Sequence, residues 1–213
     1  MTTRHTLLTR LFALLALPLL LTGCLHFRQT ITLHANGGMT VSLVYSVPED
    51  QMPALTAAHD AIAGWQRPDG AKTPNWFMDE TAVHTFFTRP DEGLKLLLYR
   101  KYVRNGRQTA EIIVEAKDAR RACANGYFGN LTHDGRSLTI QLSDTPDTLP
   151  KADIQRLRDL CDDLTLEIEV LAPANIRETN GYRRDRRRAY WLFSADGRGI
   201  DLFGKLQSPT LSW

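Results

Sequence analysis

The alternation of apolar and polar residues predicts a first β-hairpin at residues 27–47. Two runs with a period of two flank Asn36-Gly37-Gly38, and Asn-Gly is typical of tight hairpin turns. This period places one set of side chains on a buried face and the other in water. The predicted buried set is Phe27, Ile31, Leu33, Met39, Val41, Leu43, Tyr45 and Val47.

The same pattern predicts further strands along the chain. Asn105-Gly106, Asp134-Gly135 and Asn180-Gly181 mark turns between or beside them. The predicted segments are Val83–Thr88, Leu94–Arg104, Thr109–Ala116, Tyr127–His133, Arg136–Ser143, Leu164–Val170, Ala189–Ser194 and Thr210–Trp213.

Two longer segments have apolar residues at helical spacing. The first begins at Pro48-Glu49-Asp50 and ends at Gly64, and the second begins near Thr148-Leu149-Pro150. Asp118–Ala124 predicts a short helical turn that ends at Asn125-Gly126. The buried stripes are Met52, Leu55, His59 and Ile62 in the first helix and Ile154, Leu157, Leu160, Cys161 and Leu164 in the second.

These elements together predict an α+β fold. It consists of a largely antiparallel sheet of hairpins, with two amphipathic helices packed on one face. Residues 24–213 then form a single ectodomain, although the pattern also allows a β-rich subdomain at residues 94–143.

The first 24 residues have a different pattern. Arg4 and Arg10 precede the apolar run Leu11–Leu21, which is much shorter than the ~20 residues that a spanning helix needs. A basic start, a short apolar run and small residues at the exit are typical of a secretory signal peptide, here residues 1–23.

The end of this leader, Leu21-Thr22-Gly23-Cys24, resembles the lipobox of bacterial lipoproteins. The resemblance implies that a diacylglycerol is attached to the Cys24 thiol and that residues 1–23 are removed. The alternative is a plain signal peptide in which Cys24 only happens to follow the cut. Because Leu25 is not the aspartate that favours inner-membrane retention, we expect the outer membrane and its periplasmic side rather than the inner membrane.

Charge and motifs exclude several classes of function. The 26 Lys and Arg residues exceed the 24 Asp and Glu residues only because Arg4 and Arg10 lie in the leader. The sequence therefore predicts no nucleic-acid partner. It contains neither a Gly-x-Ser-x-Gly nor a His-Glu-x-x-His motif, so we expect no enzyme, cofactor or metal. The alternative is a hydrolase-like envelope enzyme whose site has no recognisable motif.

One cluster of basic residues is a candidate binding site. Its members are Arg183, Arg184, Arg186, Arg187 and Arg188, which surround Asp185. Guanidinium groups bind phosphate and carboxylate with two parallel hydrogen bonds. The cluster is therefore either a site for anionic lipid or another envelope component, or a solvated loop.

The two remaining cysteines, Cys123 and Cys161, lie among apolar residues of short helical segments. An exported chain meets an oxidising compartment. A disulfide between them and two buried free thiols are both compatible with the pattern.

The order of segments near both ends of the ectodomain resembles that of LppM-type bacterial lipoproteins. The residues that carry this resemblance are His34–Val41, Glu169–Gly181 and the aromatic strand Ala189–Phe193. The resemblance implies a mixed α/β ectodomain with a non-enzymatic role. The expected function is thus that of a membrane-anchored, non-catalytic envelope lipoprotein with a binding or structural role.

Overall fold

A computed structural model describes residues 25–53, 76–129, 131–141, 165–194 and 208–213. The helices are α1 (Glu80–Phe87) and α2 (Ala119–Ala124), and 3-10 turns occur at Glu49–Gln51, Trp76–Met78 and Pro90–Glu92. The strands are β1 (His26–Leu33), β2 (Met39–Pro48), β3 (Leu94–Arg104), β4 (Arg107–Ala116), β5 (Leu131–His133), β6 (Ser137–Ile140), β7 (Thr165–Leu171), β8 (Glu178–Thr179), β9 (Tyr182–Arg183), β10 (Arg188–Ser194) and β11 (Thr210–Ser212).

The strands form two sheets. A seven-stranded sheet has the order β3-β4-β2-β1-β7-β10-β9, and a four-stranded sheet has the order β5-β6-β11-β8. β1 pairs antiparallel with β2 but parallel with β7. The fold is thus α+β and mostly sheet, with the largely antiparallel pairing that the sequence predicts.

The predicted first hairpin is confirmed and lies at the centre of the larger sheet. Ile31 is paired with Val41, and both are fully buried. Gly37 has a φ of 86° and donates its amide to the carbonyl of His34 at 3.0 Å. That left-handed conformation is the reason for glycine at this turn.

The core lies on one side of the larger sheet. α1, α2 and the four-stranded sheet contribute apolar residues to the same cluster, and Phe87 stacks on Phe128 with 5.7 Å between ring centroids. The other side of the sheet carries mostly polar side chains, together with Val44, Leu98, Ile113 and Leu192. The fully buried sheet residues include Ile31, Met39, Val41, Val47, Ile112, Val114, Val170 and Phe193.

The predicted strand Val83–Thr88 is wrong, because this segment forms α1. Asp79 caps the helix by accepting hydrogen bonds from the amides of Thr81 (2.9 Å) and Ala82 (3.1 Å). A carboxylate at this position satisfies amides that the first helical turn leaves unpaired. Val83, Phe86 and Phe87 then share one helical face and are buried.

The short helix α2 is confirmed at the predicted position. Asp118 caps it through the amide of Arg121 at 3.0 Å, and Asn125 follows its last residue. The amide of Ala119 donates to the carbonyl of Gly37 at 2.9 Å. α2 therefore packs beside the turn of the first hairpin.

The strands predicted within residues 94–143 divide between the two sheets. β3 and β4 form one edge of the larger sheet, whereas β5 and β6 belong to the smaller one. β5 and β6 are shorter than the predicted Tyr127–His133 and Arg136–Ser143. The division of residues 24–213 into domains stays a prediction.

Both predicted amphipathic helices lie largely outside the described residues. Of the first, the structure describes only the residues up to 53, which include the 3-10 turn Glu49–Gln51. The second, at residues 148–164, is not described. The leader at residues 1–24 also lies outside the described part of the chain.

Candidate functional site

The side of the larger sheet that faces away from the core is here called the open face. Its centre is formed by hydroxyl residues of β1 and β2, because these alternate with the buried residues of the same strands. Thr30 is paired with Ser42, and Thr32 is paired with Thr40. All four are half-buried. Charged groups flank this centre on both sides.

On the β7 side, Glu167 accepts two hydrogen bonds from β1. The donors are His26 Nε2 at 2.8 Å and Arg28 Nε at 2.7 Å. Burial acts to raise the pKa of Glu167, but the hydrogen bonds from Arg28 and His26 outweigh it and the pKa lies below its usual value. The same hydrogen bond raises the pKa of Arg28 against the opposing effect of burial. Glu167 is therefore ionised at neutral pH.

Glu169 lies two residues after Glu167 on β7 and contacts two arginines of the predicted basic cluster. Arg184 Nη1 donates to Glu169 Oε2 at 3.3 Å. Arg188 Nε also lies 3.3 Å from Glu169 Oε1, but without the alignment of a hydrogen bond. The guanidinium carbon of Arg184 lies 4.2 Å from the centroid of the Tyr190 ring, which is a cation–π distance.

On the opposite edge, β3 and β4 form a matching cluster. Glu111 accepts a hydrogen bond from the Tyr102 hydroxyl at 2.6 Å and from Arg100 Nε at 3.1 Å. The Tyr102 hydroxyl lowers the pKa of Glu111, burial opposes it, and Arg100 adds to the lowering. Each side of the open face thus ends in an arginine–glutamate pair. Arg100, Arg184 and Arg188 are here called the arginine rim, whereas Arg28 lies on the central strand β1.

The predicted basic cluster forms the hairpin between β9 and β10, here called the arginine loop (Arg183–Arg188). Its side chains do not converge on one point. Arg183 Nη2 donates to the Arg177 carbonyl at 2.7 Å, and Arg187 Nε donates to the Ala172 carbonyl at 2.9 Å. Arg186 is exposed. A guanidinium has five N–H donors, so these contacts leave donors for a ligand.

The arginine loop keeps a net positive charge after its ion pairs with Glu169 and Asp185 are subtracted. Exposed ion pairs contribute little, typically ~0–1 kcal/mol, and a phosphate or carboxylate of a ligand can replace Glu169 as the partner of Arg184. The loop and the adjoining rim can therefore bind an extended anionic group.

The histidine contacts on the open face do not combine into a catalytic relay. His34 Nε2 lies 2.9 Å from Thr40 Oγ1, whereas His26 contacts Glu167. A hydroxyl nucleophile needs one histidine that contacts both the hydroxyl and an orienting carboxylate. Here the two contacts belong to different histidines.

Of the predicted cysteine sites, only Cys123 lies in the described part. It is buried in α2, and burial followed by the charge of Asp118 raises the pKa of its thiol to about 12. Such a thiol is inert at neutral pH. Cys24 and Cys161 lie outside the described residues, so the lipidation site and the disulfide stay predictions.

No group of three His, Cys, Asp or Glu side chains in the described ranges is placed to hold a metal ion. No helix within those ranges has the length and apolarity needed to cross a membrane.

Several residues of the open face were missed by the sequence analysis, among them Arg28, Glu167 and Tyr190. A signal for Arg28 was present, because it alternates with buried positions of β1. The pairing of β1 with β7 could not be predicted from the sequence, because His26 and Glu167 are 141 residues apart.

Comparison with known proteins gives matches among solved structures alone. No family model matches the chain, and no curated protein matches it. The solved structures that match include the folded domain of the LppM protein from Mycobacterium tuberculosis, determined by NMR, with 12% sequence identity, a TM-score of 0.44, and coverage of 89% of this chain and 90% of that chain. A similarity of this degree indicates neither an activity nor a partner.

Proposed function

We propose that this protein is a lipid-anchored envelope lipoprotein whose non-catalytic ectodomain binds an anionic partner through the arginine loop and the adjoining rim. The observation that carries the proposal is the arginine loop beside Glu169, at the edge of the open face. A catalytic ectodomain would instead need a concave site in which a nucleophile, a base and an orienting group meet.

The start of the fold supports the anchor. Only Leu25 separates Cys24 from β1, and the Leu25 carbonyl accepts a hydrogen bond from the amide of Thr165 at 2.9 Å. A lipid on Cys24 would therefore be attached almost directly to the central strand of the larger sheet. Two or more acyl chains anchor a protein stably, whereas one binds only marginally.

Replacing Cys24 by Ser should abolish anchoring. The serine hydroxyl cannot take the place of the thiolate nucleophile, so we expect unprocessed precursor that incorporates no labelled palmitate. Metabolic labelling and the mass of the N-terminal peptide measure this outcome. The matched control is Cys123→Ser, which should be labelled like the wild type. A Cys24→Ser protein that is processed at the normal position would contradict the lipobox assignment.

Removing charge from the arginine loop should weaken binding to anionic surfaces. Each basic residue near such a surface contributes about 1 kcal/mol. Arg184→Gln with Arg186→Gln in residues 25–213 should then weaken binding to phosphatidylglycerol vesicles about 30-fold at low salt. These two residues are chosen because Arg183 and Arg187 hold backbone carbonyls.

The control for this experiment removes the same charge elsewhere. Lys117→Gln with Arg121→Gln alters two exposed residues beside α2 and should have a clearly smaller effect. The difference should shrink at 0.5 M salt, since the Debye length is then only a few ångströms. Equal weakening by both pairs would show a dependence on total charge alone and would refute a site at the arginine loop.

A further inference from the structure

The strand register defines two ends of the larger sheet. At the end where β1 begins, here called the near end, one cross-strand row consists of Tyr102, Thr109, Ser46, His26 and Thr165. At the other end, here called the far end, the row consists of Lys95, Glu115, Thr40, Thr32, Leu171 and Arg188. The two rows are six residues apart along β1, which corresponds to about 20 Å.

The near end contains Leu25 and the tip of the β3–β4 hairpin. Asn105 and Gly106 form this tip with φ values of 53° and 68°. Val103 beside it is 56% exposed, and Lys101 and Arg104 on the same strand are also exposed. An exposed apolar residue flanked by basic ones is suited to the headgroup region of a bilayer.

Acidic residues also lie at this end. The amide of Glu49 donates to the Gly106 carbonyl at 3.0 Å, so Glu49 and Asp50 lie beside the tip. Lys101 Nζ donates to the Met78 carbonyl at 3.0 Å, next to Asp79 in the chain. The surroundings of the tip therefore carry charges of both signs.

The far end contains the arginine loop. β10 begins there at Arg188, and the loop precedes it. The turn that follows β7 lies at the same end, because the amide of Ala172 donates to the Arg187 carbonyl at 2.8 Å. The loop is therefore displaced from Leu25 by the full length of the described strand β1.

We propose that the near end rests on the bilayer that holds the lipid, with the β3–β4 tip touching the headgroups, and that the arginine loop is displayed away from that bilayer. This inference rests on the proposed lipid anchor. A link of one residue spans at most about 3.6 Å, so the start of β1 stays at the membrane surface. The anionic partner of the arginine loop is then not the anchoring bilayer itself.

The alternative orientation, with the open face lying flat on the bilayer, is disfavoured by its charges. Arg28 and Arg100, which lie outside the arginine loop, are already paired with Glu167 and Glu111. Flat contact would remove water from these groups without supplying better partners, which is costly. The upright orientation leaves them in water.

Fluorescence quenching in the lipidated full-length protein tests the orientation. Single cysteines are introduced as Val103→Cys at the near end and Ala174→Cys in the exposed turn at the far end, with Leu192→Cys on the open face. Each variant is labelled with an environment-sensitive dye and reconstituted into phosphatidylcholine–phosphatidylglycerol vesicles that contain nitroxide-headgroup lipid. The unsubstituted protein measures background labelling, to which the inert Cys123 thiol should contribute little.

We expect quenching at position 103 to exceed that at position 174 severalfold, with position 192 between them. Equal quenching at positions 174 and 103 would show a flat orientation and overturn the inference. Absence of quenching at 103 in a protein that floats with the vesicles would also overturn it while leaving the anchor intact. A protein that does not float with vesicles would refute the anchor, and the orientation with it.

Discussion

Replacing Phe87 by Ala should lower the free energy of unfolding by about 4 kcal/mol, since truncation of a buried phenylalanine typically costs 3–5 kcal/mol. Phe87 is fully buried. Its ring stacks on Phe128 and meets Phe86 edge-on, with centroid distances of 5.7 Å and 4.8 Å. Equilibrium unfolding in urea measures the change as a shift of the midpoint at an unchanged slope.

The control for Phe87→Ala is Thr85→Ala on the exposed side of the same helix. Thr85 packs against no core residue, and its hydroxyl donates only to the Thr81 carbonyl at 2.8 Å. We expect a change within about 0.5 kcal/mol. If Phe87→Ala lowered the free energy of unfolding no more than Thr85→Ala, the burial of α1 against the sheet would be refuted.

The α1 segment shows where local sequence misleads. Val83, Thr85 and Thr88 are β-branched and favour strands, in line with the predicted strand Val83–Thr88. The signal for a helix is the capping carboxylate of Asp79. It lies before that segment and is part of no repeating pattern. Burial of Val83, Phe86 and Phe87 against the sheet then decides in favour of the helix, as tertiary contacts often override propensity.

The hairpins could be predicted because their signals are local. Asn105 and Gly106 both have positive φ, as a two-residue turn with the twist of its flanking strands requires. The alternation that follows this turn then fixes which residues of β4 are buried, whereas β3 is mostly exposed and has a register shift between Leu96 and Leu98. β3 and β4 accordingly lie within one or two residues of their predicted limits.

The candidate site could be predicted only in part, because it depends on the pairing of distant strands. The arginine loop is visible as a run of charges. Its contact with Glu169, however, requires β10 to pair with β7, and the neighbouring Glu167–Arg28 pair requires β7 to lie parallel to β1. No local pattern encodes the order of strands in a sheet.

Replacing Gly181 by Ala should lower the free energy of unfolding by about 3 kcal/mol. A methyl group at this position would lie 2.4 Å from Cε2 and 2.6 Å from Nε1 of the Trp191 ring. Trp191 is buried and donates to Asn180 Oδ1 at 3.0 Å. The ring must therefore move, which combines an overpacking cost of about 1–3 kcal/mol with a hydrogen bond worth about 1 kcal/mol.

This prediction gives the Asn180-Gly181 pair a different explanation from the other turns. Its pattern predicts a turn that needs positive φ, but the close approach of the Trp191 ring is what excludes a side chain at Gly181. Gly106 provides the contrast, because a methyl group there would meet no atom within 4 Å and only its φ of 68° favours glycine. Gly106→Ala should thus cost about 1 kcal/mol, clearly less than Gly181→Ala.

A double-mutant cycle with Trp191→Phe separates the two explanations for Gly181. The smaller ring lacks the part of the indole that a methyl group at position 181 would strike, so Gly181→Ala should cost at least 1 kcal/mol less in the Trp191→Phe background than in the wild type. Urea unfolding of the four proteins measures this coupling. Strict additivity would mean that backbone conformation, and not the Trp191 ring, requires glycine at this position.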